Sequence, residues 1–277
     1  MQRSEELNVA LQIAWQAARR IQEDYRKRDP LPDAPSSIST ETDRVAQEII
    51  LQGLHAKFPH DALCAEEVTE TLSRAPRHGD RLWIVDPIDG TRGFAIKNGE
   101  FSVMIAFVVR GKIRLGLVLA PATNRVVFAE ESQGCWHGEG PDGPFGRCWV
   151  TQTRSLQSST LTQSRSKSAR SAPTVSLLQP ARVVETFSAG LKLALVARGE
   201  VDAYVNTYPE FNDWDVCAGQ ILVEEAGGKV TTLSGEPLQY GLPDNKQRGG
   251  LIASNGLLHQ AIIDALTRRE TTASPSA

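Results

Sequence analysis

The sequence predicts an α+β fold in which two N-terminal helices lie on an antiparallel sheet and a mixed α/β half follows. Three observations carry that expectation: apolar residues at helical spacing as far as Leu54, long β-rich runs from Leu82 to Glu131, and short strands alternating with helices thereafter. The expected halves are residues 1–152 and 153–267, with 268–277, "RRETTASPSA", composed like a disordered tail. A chain of 277 residues can bury a sizeable core as one large domain or as two closely packed halves.

The first helix is read from Leu7, Leu11, Ala14, Ala18 and Ile21, with Asn8, Gln12 and Arg19 on the polar side. "RDPLPDAPSS" breaks it. A second helix carries Val45, Ile49, Ile50 and Leu54 on one face, with Thr42 or Asp43 where an N-cap belongs. From "LWIV" the period changes, and "FSVMIAFVV", "IRLGLVLA" and "RVVFAEE", separated by the turn-forming "RGK" and "PATN", predict an antiparallel meander. Beyond "WVTQTRSLQSS", strands are expected at "STLTQ", "ARVVET", "DAYVN" and "GKVTTL". Helices are expected near Ser168 to Leu178, Leu191 to Arg198 and Val216 to Ala226.

The charge balance of 33 acidic and 30 basic residues gives a net −3 without a basic block, which argues against a nucleic-acid polymer as partner and favours a small molecule. No apolar run reaches the roughly 18 residues of a membrane span, and no signal-peptide pattern opens the chain, so a soluble, cytoplasmic protein is expected. Cys64, Cys135, Cys148 and Cys217 lack CxxC spacing and read as four free thiols. The oligomeric state is not legible.

"LWIVDPIDGT" runs an apolar strand into Asp86 and Asp89, across a proline that restricts the backbone. Two converging carboxylates repel and raise each other's pKa unless a cation stands between them. Glu66 and Glu67 lie upstream in "CAEEVTE", and Asp215 lies downstream in "NDWDVCAG" before an apolar helix. Acidic oxygens from separate elements suit a hard divalent ion, Mg²⁺ above all. Taken singly, each has an ordinary reading: Asp86 and Asp89 as turn residues, Asp215 as a helix N-cap, Glu66 and Glu67 as a solvated face.

Taken together, "AEE", "WIVDPIDGT" and "WDVCAGQILVEEAGG", in that order, resemble the inositol monophosphatase superfamily of Mg²⁺-dependent, lithium-sensitive phosphatases, across nearly the whole chain. The resemblance implies a layered αβαβα sugar-phosphatase-type fold and hydrolysis of a small phosphate monoester by metal-activated water. Residue by residue, it implies metal ligation by Glu66, Asp86, Asp89, Asp215 and the carbonyl of Ile88, with Glu66 also catalytic. Gly90 and Thr91 would bind phosphate through their amides at a helix start. Thr91 would help orient the attacking water, and Asp43, in "TETD", matches an acid behind that water as well as a helix cap. The bare residues leave a nucleophilic-Asp mechanism open, but its familiar Asp-x-Asp-x-Thr string at a strand end is absent, because Asp86 and Asp89 are three apart.

Within that superfamily, "DPIDGTRGF", "NGEFSVMIAFV", "TLTQSRSKS" and "FSAGLKLALVARGEVDAYV" are most similar to the bacterial 3'(2'),5'-bisphosphate nucleotidases. That implies hydrolysis of adenosine 3',5'-bisphosphate to AMP and phosphate, in a context of sulfur metabolism, with Arg165 and Lys192 available to the second phosphate. Each also has an ordinary reading, Arg165 as a solvated loop arginine and Lys192 as an exposed helix position. The chain departs from the nucleotidases at "SAGLK", where they tend to have "GSSLK". The runner-up substrate is inositol monophosphate, followed by other small sugar or amino-alcohol phosphates; Tyr208 stands where the inositol enzymes place an acid, with Glu210 as its substitute. A metal or nucleotide binder without turnover would have no need of the water-orienting hydroxyl of Thr91.

Overall fold

In the computed structural model, the described residues are 3–35, 38–165 and 173–272. The N-terminal layer is α1 (Glu5–Lys27) and α2 (Glu41–Lys57). Ser4 caps α1 by accepting the Leu7 amide at 3.1 Å. The cap of α2 is Thr40, upstream of the expected Thr42 or Asp43, and Asp43 sits three residues inside it, closing a capping box on Thr40.

Both helices lie on a seven-stranded sheet ordered in sequence: β1 (Ala62–Ala65), β2 (Arg81–Asp89), β3 (Ser102–Val109), β4 (Lys112–Ala120), β5 (Arg125–Glu130), β6 (Gly134–Glu139) and β7 (Gly146–Arg147). Two short helices, α3 (Glu70–Arg74) and α4 (Thr91–Ala95), flank β2. The expected meander is present, but β1 joins it parallel to β2, an edge strand too short to announce itself in sequence. Alternate residues of the strands point to opposite faces. Trp83, Val85, Ile105 and Phe107 pack under α1 and α2, while Leu82, Ile84, Met104 and Ala106 face the second half. With both faces covered, the strands read as unbroken apolar runs.

The second half alternates β8 (Thr160–Ser164), α5 (Pro173–Leu178), β9 (Arg182–Thr186), α6 (Ala189–Ala197), β10 (Ala203–Asn206), β11 (Glu210–Asn212), α7 (Cys217–Glu225), β12 (Lys229–Thr231), β13 (Lys246–Arg248), β14 (Leu251–Ser254) and α8 (His259–Thr272). A five-stranded sheet runs β12-β14-β10-β8-β9, with β8 parallel to β9 and β10. Helices α6 and α7 lie between the two sheets, and α5 and α8 cover the far face, so the layers are αβαβα. Of the expected helix from Ser168, residues 173–178 are seen and the rest lies outside the described residues. Helix α8 runs to Thr272, into the stretch expected as a tail; 273–277 lie outside the described residues. The four cysteines are buried and free. Among the described residues, no helix is long and apolar enough to cross a membrane.

Candidate active site

The elements meet at the C-terminal end of β2. Pro87 interrupts its pairing with β3, and the register shifts between Asp86 and Asp89. The irregularity brings both carboxylates, rather than one, to the mouth of a cavity of about 680 Å³. Glu66 enters it from the end of β1 and Asp215 from the 3-10 turn Asp213–Asp215 that leads into α7.

Each acid is held by its own local bonds. Asp86 Oδ1 accepts the Ile88 amide at 3.0 Å, and Asp215 Oδ2 accepts the Asn212 amide at 2.7 Å in a capping box. Asp89 accepts the amides of Ala189 and Gly190 at 3.1 and 2.6 Å and the hydroxyl of Ser188, all at the start of α6. Asp43, fully buried, accepts the Thr40 amide at 2.9 Å, the Thr40 hydroxyl, and the Thr91 hydroxyl at 2.9 Å.

Their charges interact strongly. Much of the Glu66 side chain is exposed in the cavity, yet the protein packed around its carboxyl, then Asp215 and Asp43, push it up to about 8. Asp86 is raised well above the ordinary carboxylate range, first by burial and then by Glu66 and Asp89. Asp215 is raised to about 6, mainly by burial. Asp43 is also raised, by burial, with its bonds from Thr40 and Thr91 acting against the shift. Hard oxygen donors that resist ionising beside one another fit a divalent cation in chemistry. Among the described residues, no three acidic, cysteine or histidine side chains stand as a closed ligand cluster; Asp89 and Asp215 are turned toward the amides that cap them.

Thr91 begins α4, and its Oγ1 is also 2.9 Å from the Ile88 carbonyl oxygen. Gly90, just before it, has φ +85°, and a Cβ there would meet the Glu100 carbonyl oxygen at 2.7 Å, so glycine is required.

The two basic residues differ from their simple readings. Lys192 is buried rather than exposed, and its ammonium donates to Ser164 Oγ at 3.3 Å and to the Thr186 and Phe187 carbonyls, both at 3.1 Å. Burial pulls it down to about 8 against the opposing pull of Asp89, Glu100 and Asp215. Arg165 lines the cavity but is held two-pronged by Glu100 and donates to the Glu185 carbonyl at 3.0 Å. Ser166, of the expected Ser-Arg-Ser segment, lies outside the described residues. Tyr208 and Glu210 both reach the cavity; Glu210 faces Lys246 at 3.8 Å and Arg248 at 3.9 Å. Glu67 accepts the Ser39 hydroxyl at 2.6 Å and does not line the cavity.

Sequence reasoning missed Thr40, Ser102, Ser188 and Asn212, which hold the acids, and Glu100, which holds Arg165. A capping-box pattern could have found Thr40. The same pattern could have found Asn212, three before Asp215, and Ser188 stands as an N-cap; nothing local marks Ser102 or Glu100.

The inositol monophosphatase family model matches residues 2–271. A Thermotoga maritima protein named fructose-1,6-bisphosphatase/inositol-1-monophosphatase is 35% identical over 229 residues, covering 82% of this chain and 81% of its own. The Escherichia coli (strain K12) 3'(2'),5'-bisphosphate nucleotidase CysQ is 33% identical over 242 residues, covering 84% of this chain and 93% of its own. Among solved structures, a Thermotoga maritima IMPase matches with a TM-score of 0.79 at 29% identity, over 97% of this chain and 99% of that one. The match spans both halves and the cavity between them, and the chain belongs to the inositol monophosphatase family of metal-dependent phosphatases.

Proposed function

We propose that this chain is a Mg²⁺-dependent, lithium-sensitive phosphomonoesterase that hydrolyses adenosine 3',5'-bisphosphate to AMP and phosphate. The observation that carries the reading is the convergence of Glu66, Asp86, Asp89, Thr91 and Asp215 on one cavity that continues to Ser164, Arg165 and Lys192. Glu66, Asp86, Asp89, Asp215 and the Ile88 carbonyl are the groups that would hold the ion. Bound there, a divalent cation supplies a Lewis acid that acidifies water and offsets phosphate charge.

The chain's own residues do the rest. Thr91 has one proton and two acceptors at 2.9 Å, and the Asp43 carboxylate is the stronger of them. With that proton committed to Asp43, the Thr91 oxygen is left as an acceptor that orients an attacking water. The amides of Gly90 and Thr91 donate to the phosphate at the start of α4. Water attacks phosphorus as the ester P–O bond breaks; one of its protons ends on the leaving alkoxide oxygen, relayed through solvent, and the other stays on the released phosphate.

Arg165 and Lys192 support a second anionic group, and the 33% identity to a protein named for bisphosphate hydrolysis agrees with it. A second reading, inositol or another sugar phosphate, is favoured by the engagement of Arg165 with Glu100 and by the 35% identical relative named for fructose-1,6-bisphosphate and inositol-1-monophosphate hydrolysis. The deciding experiment is kcat/KM on adenosine 3',5'-bisphosphate and inositol 1-phosphate with wild type and Arg165→Ala. The first reading expects a preference for the bisphosphate that Arg165→Ala selectively weakens. A preference for inositol 1-phosphate, or an equal loss on both, moves the protein to the second.

A further inference from the structure

Asp89 is gripped across the two halves, and its oxygens are unequally loaded. Oδ2 accepts from the Ser188 hydroxyl and from the Gly190 amide at 2.6 Å and has Ser102 Oγ 3.3 Å away, whereas Oδ1 accepts the Ala189 amide at 3.1 Å. Ser188 is the N-cap of α6 and accepts the Leu191 amide at 2.9 Å. A hydroxyl has one proton and two lone pairs. With one lone pair on Leu191, the Ser188 proton goes to the carboxylate and its other lone pair faces Ser102 Oγ, 3.0 Å away. The single Ser102 proton, facing Ser188 Oγ at 3.0 Å and Oδ2 at 3.3 Å, takes the shorter contact, so Ser102 and Ser188 form a chain of donors ending on Oδ2 of Asp89, each link polarising the next.

The surroundings pack closely on these groups. Both serines are completely buried. A Cβ on Gly190 would meet Ser102 Oγ at 2.8 Å and Met104 Sδ at 2.7 Å, and one on Gly90 would meet the Ser188 Cβ at 3.1 Å. The helix start is thus seated directly against the end of β2.

We propose that Ser188, backed by Ser102, is a positioning residue that anchors Oδ2 of Asp89 and leaves Oδ1, with a lone pair to spare, as the oxygen offered to a divalent cation. The inference rests on the metal-dependent reading above and assigns it a device: the cation site needs a hydroxyl from the second half to orient a carboxylate from the first. It also gives the single hydroxyl of "SAGLK" a task other than touching substrate. Partners of this kind typically change metal affinity by about 10–100-fold when removed.

The test titrates Mg²⁺ and Mn²⁺ alone into the metal-free full chain by calorimetry, with melting curves in EDTA as the folding control. Ser188→Ala is expected to weaken binding about tenfold, and Ser188→Thr, which keeps the hydroxyl, to restore it to within about threefold of wild type. A Ser188→Ala protein that melts lower but binds the cation as wild type does would make Ser188 a helix cap and overturn the proposal. So would a loss of affinity that Ser188→Thr fails to restore. If Ser188→Ala does not fold, Ser102→Ala decides: weaker binding supports the donor chain, and unchanged binding overturns it. A wild-type chain that binds neither ion would instead defeat the metal-dependent reading itself, an outcome visible before any variant is made.

Discussion

The Thr91 hydroxyl lies 2.9 Å from a carboxylate oxygen of Asp43, joining the first turn of α4 to the first turn of α2 across 48 positions of sequence. Neither residue is placed by the other's local structure. Asp43 is fixed by its capping box on Thr40, and Thr91 by the glycine turn that ends β2.

This pair should control turnover more than binding. Thr91→Ala removes the water acceptor, and Asp43→Asn replaces the charged acceptor with a neutral one at nearly constant volume. Each is expected to lower kcat by about 10²-fold or more with a smaller change in KM, and Thr91→Ser should keep much of the rate. Steady-state kinetics on the preferred substrate checks this; near-wild-type kcat in Thr91→Ala would remove the assigned role.

The acids predict the pH dependence of the metal-free protein. Glu66 is raised from 4.5 to about 8 and Asp215 from 3.8 to about 6, so the folded state holds protons that the unfolded chain releases. The stability this confers is complete below the ordinary carboxylate pKa and is lost as pH rises through the raised values. Melting temperature in EDTA should therefore fall between pH 5 and 8, and Mg²⁺ should restore more of it at pH 8 than at pH 5. A flat EDTA profile would show that the carboxylates do not oppose one another.

Glu66→Gln should separate stability from activity. It removes one charge from the repelling set, so the metal-free variant should melt higher than wild type at pH 8 while turnover falls by about 10²-fold or more. Paired melting and rate measurements test it, and a lower melting point at pH 8 would contradict the repulsion.

Lys192 is expected to be structural as well as electrostatic. Lys192→Ala removes a buried ammonium and strands the Thr186 and Phe187 carbonyls it serves, at a cost of about 2–4 kcal/mol by urea denaturation. A variant as stable as wild type would place the ammonium in solvent.

How much of this was legible depended on how locally each feature is encoded. The acids of "WIVDPIDGT" were readable because strand, proline and glycine turn are contiguous, and the change of apolar period gave the meander and the α/β stretch after it, whereas the αβαβα layering came only with the family resemblance. The four-residue β1, and β11 and β13 with three each, were not, because such strands owe their existence to a partner elsewhere in the chain. The grip of Ser188 on Asp89 and of Glu100 on Arg165 spans 99 and 65 positions, and no window of sequence contains both ends. The burial of Lys192 did leave a trace, a lone cation in the apolar helix "AGLKLALVA".

The most direct test of the central claim is phosphate release from adenosine 3',5'-bisphosphate by the wild-type chain, measured in Mg²⁺, in Mg²⁺ with lithium, and in excess EDTA. Turnover in Mg²⁺ that lithium suppresses and EDTA abolishes is the predicted result; full turnover in EDTA, or none in Mg²⁺ on a substrate the cavity was proposed to fit, would contradict it.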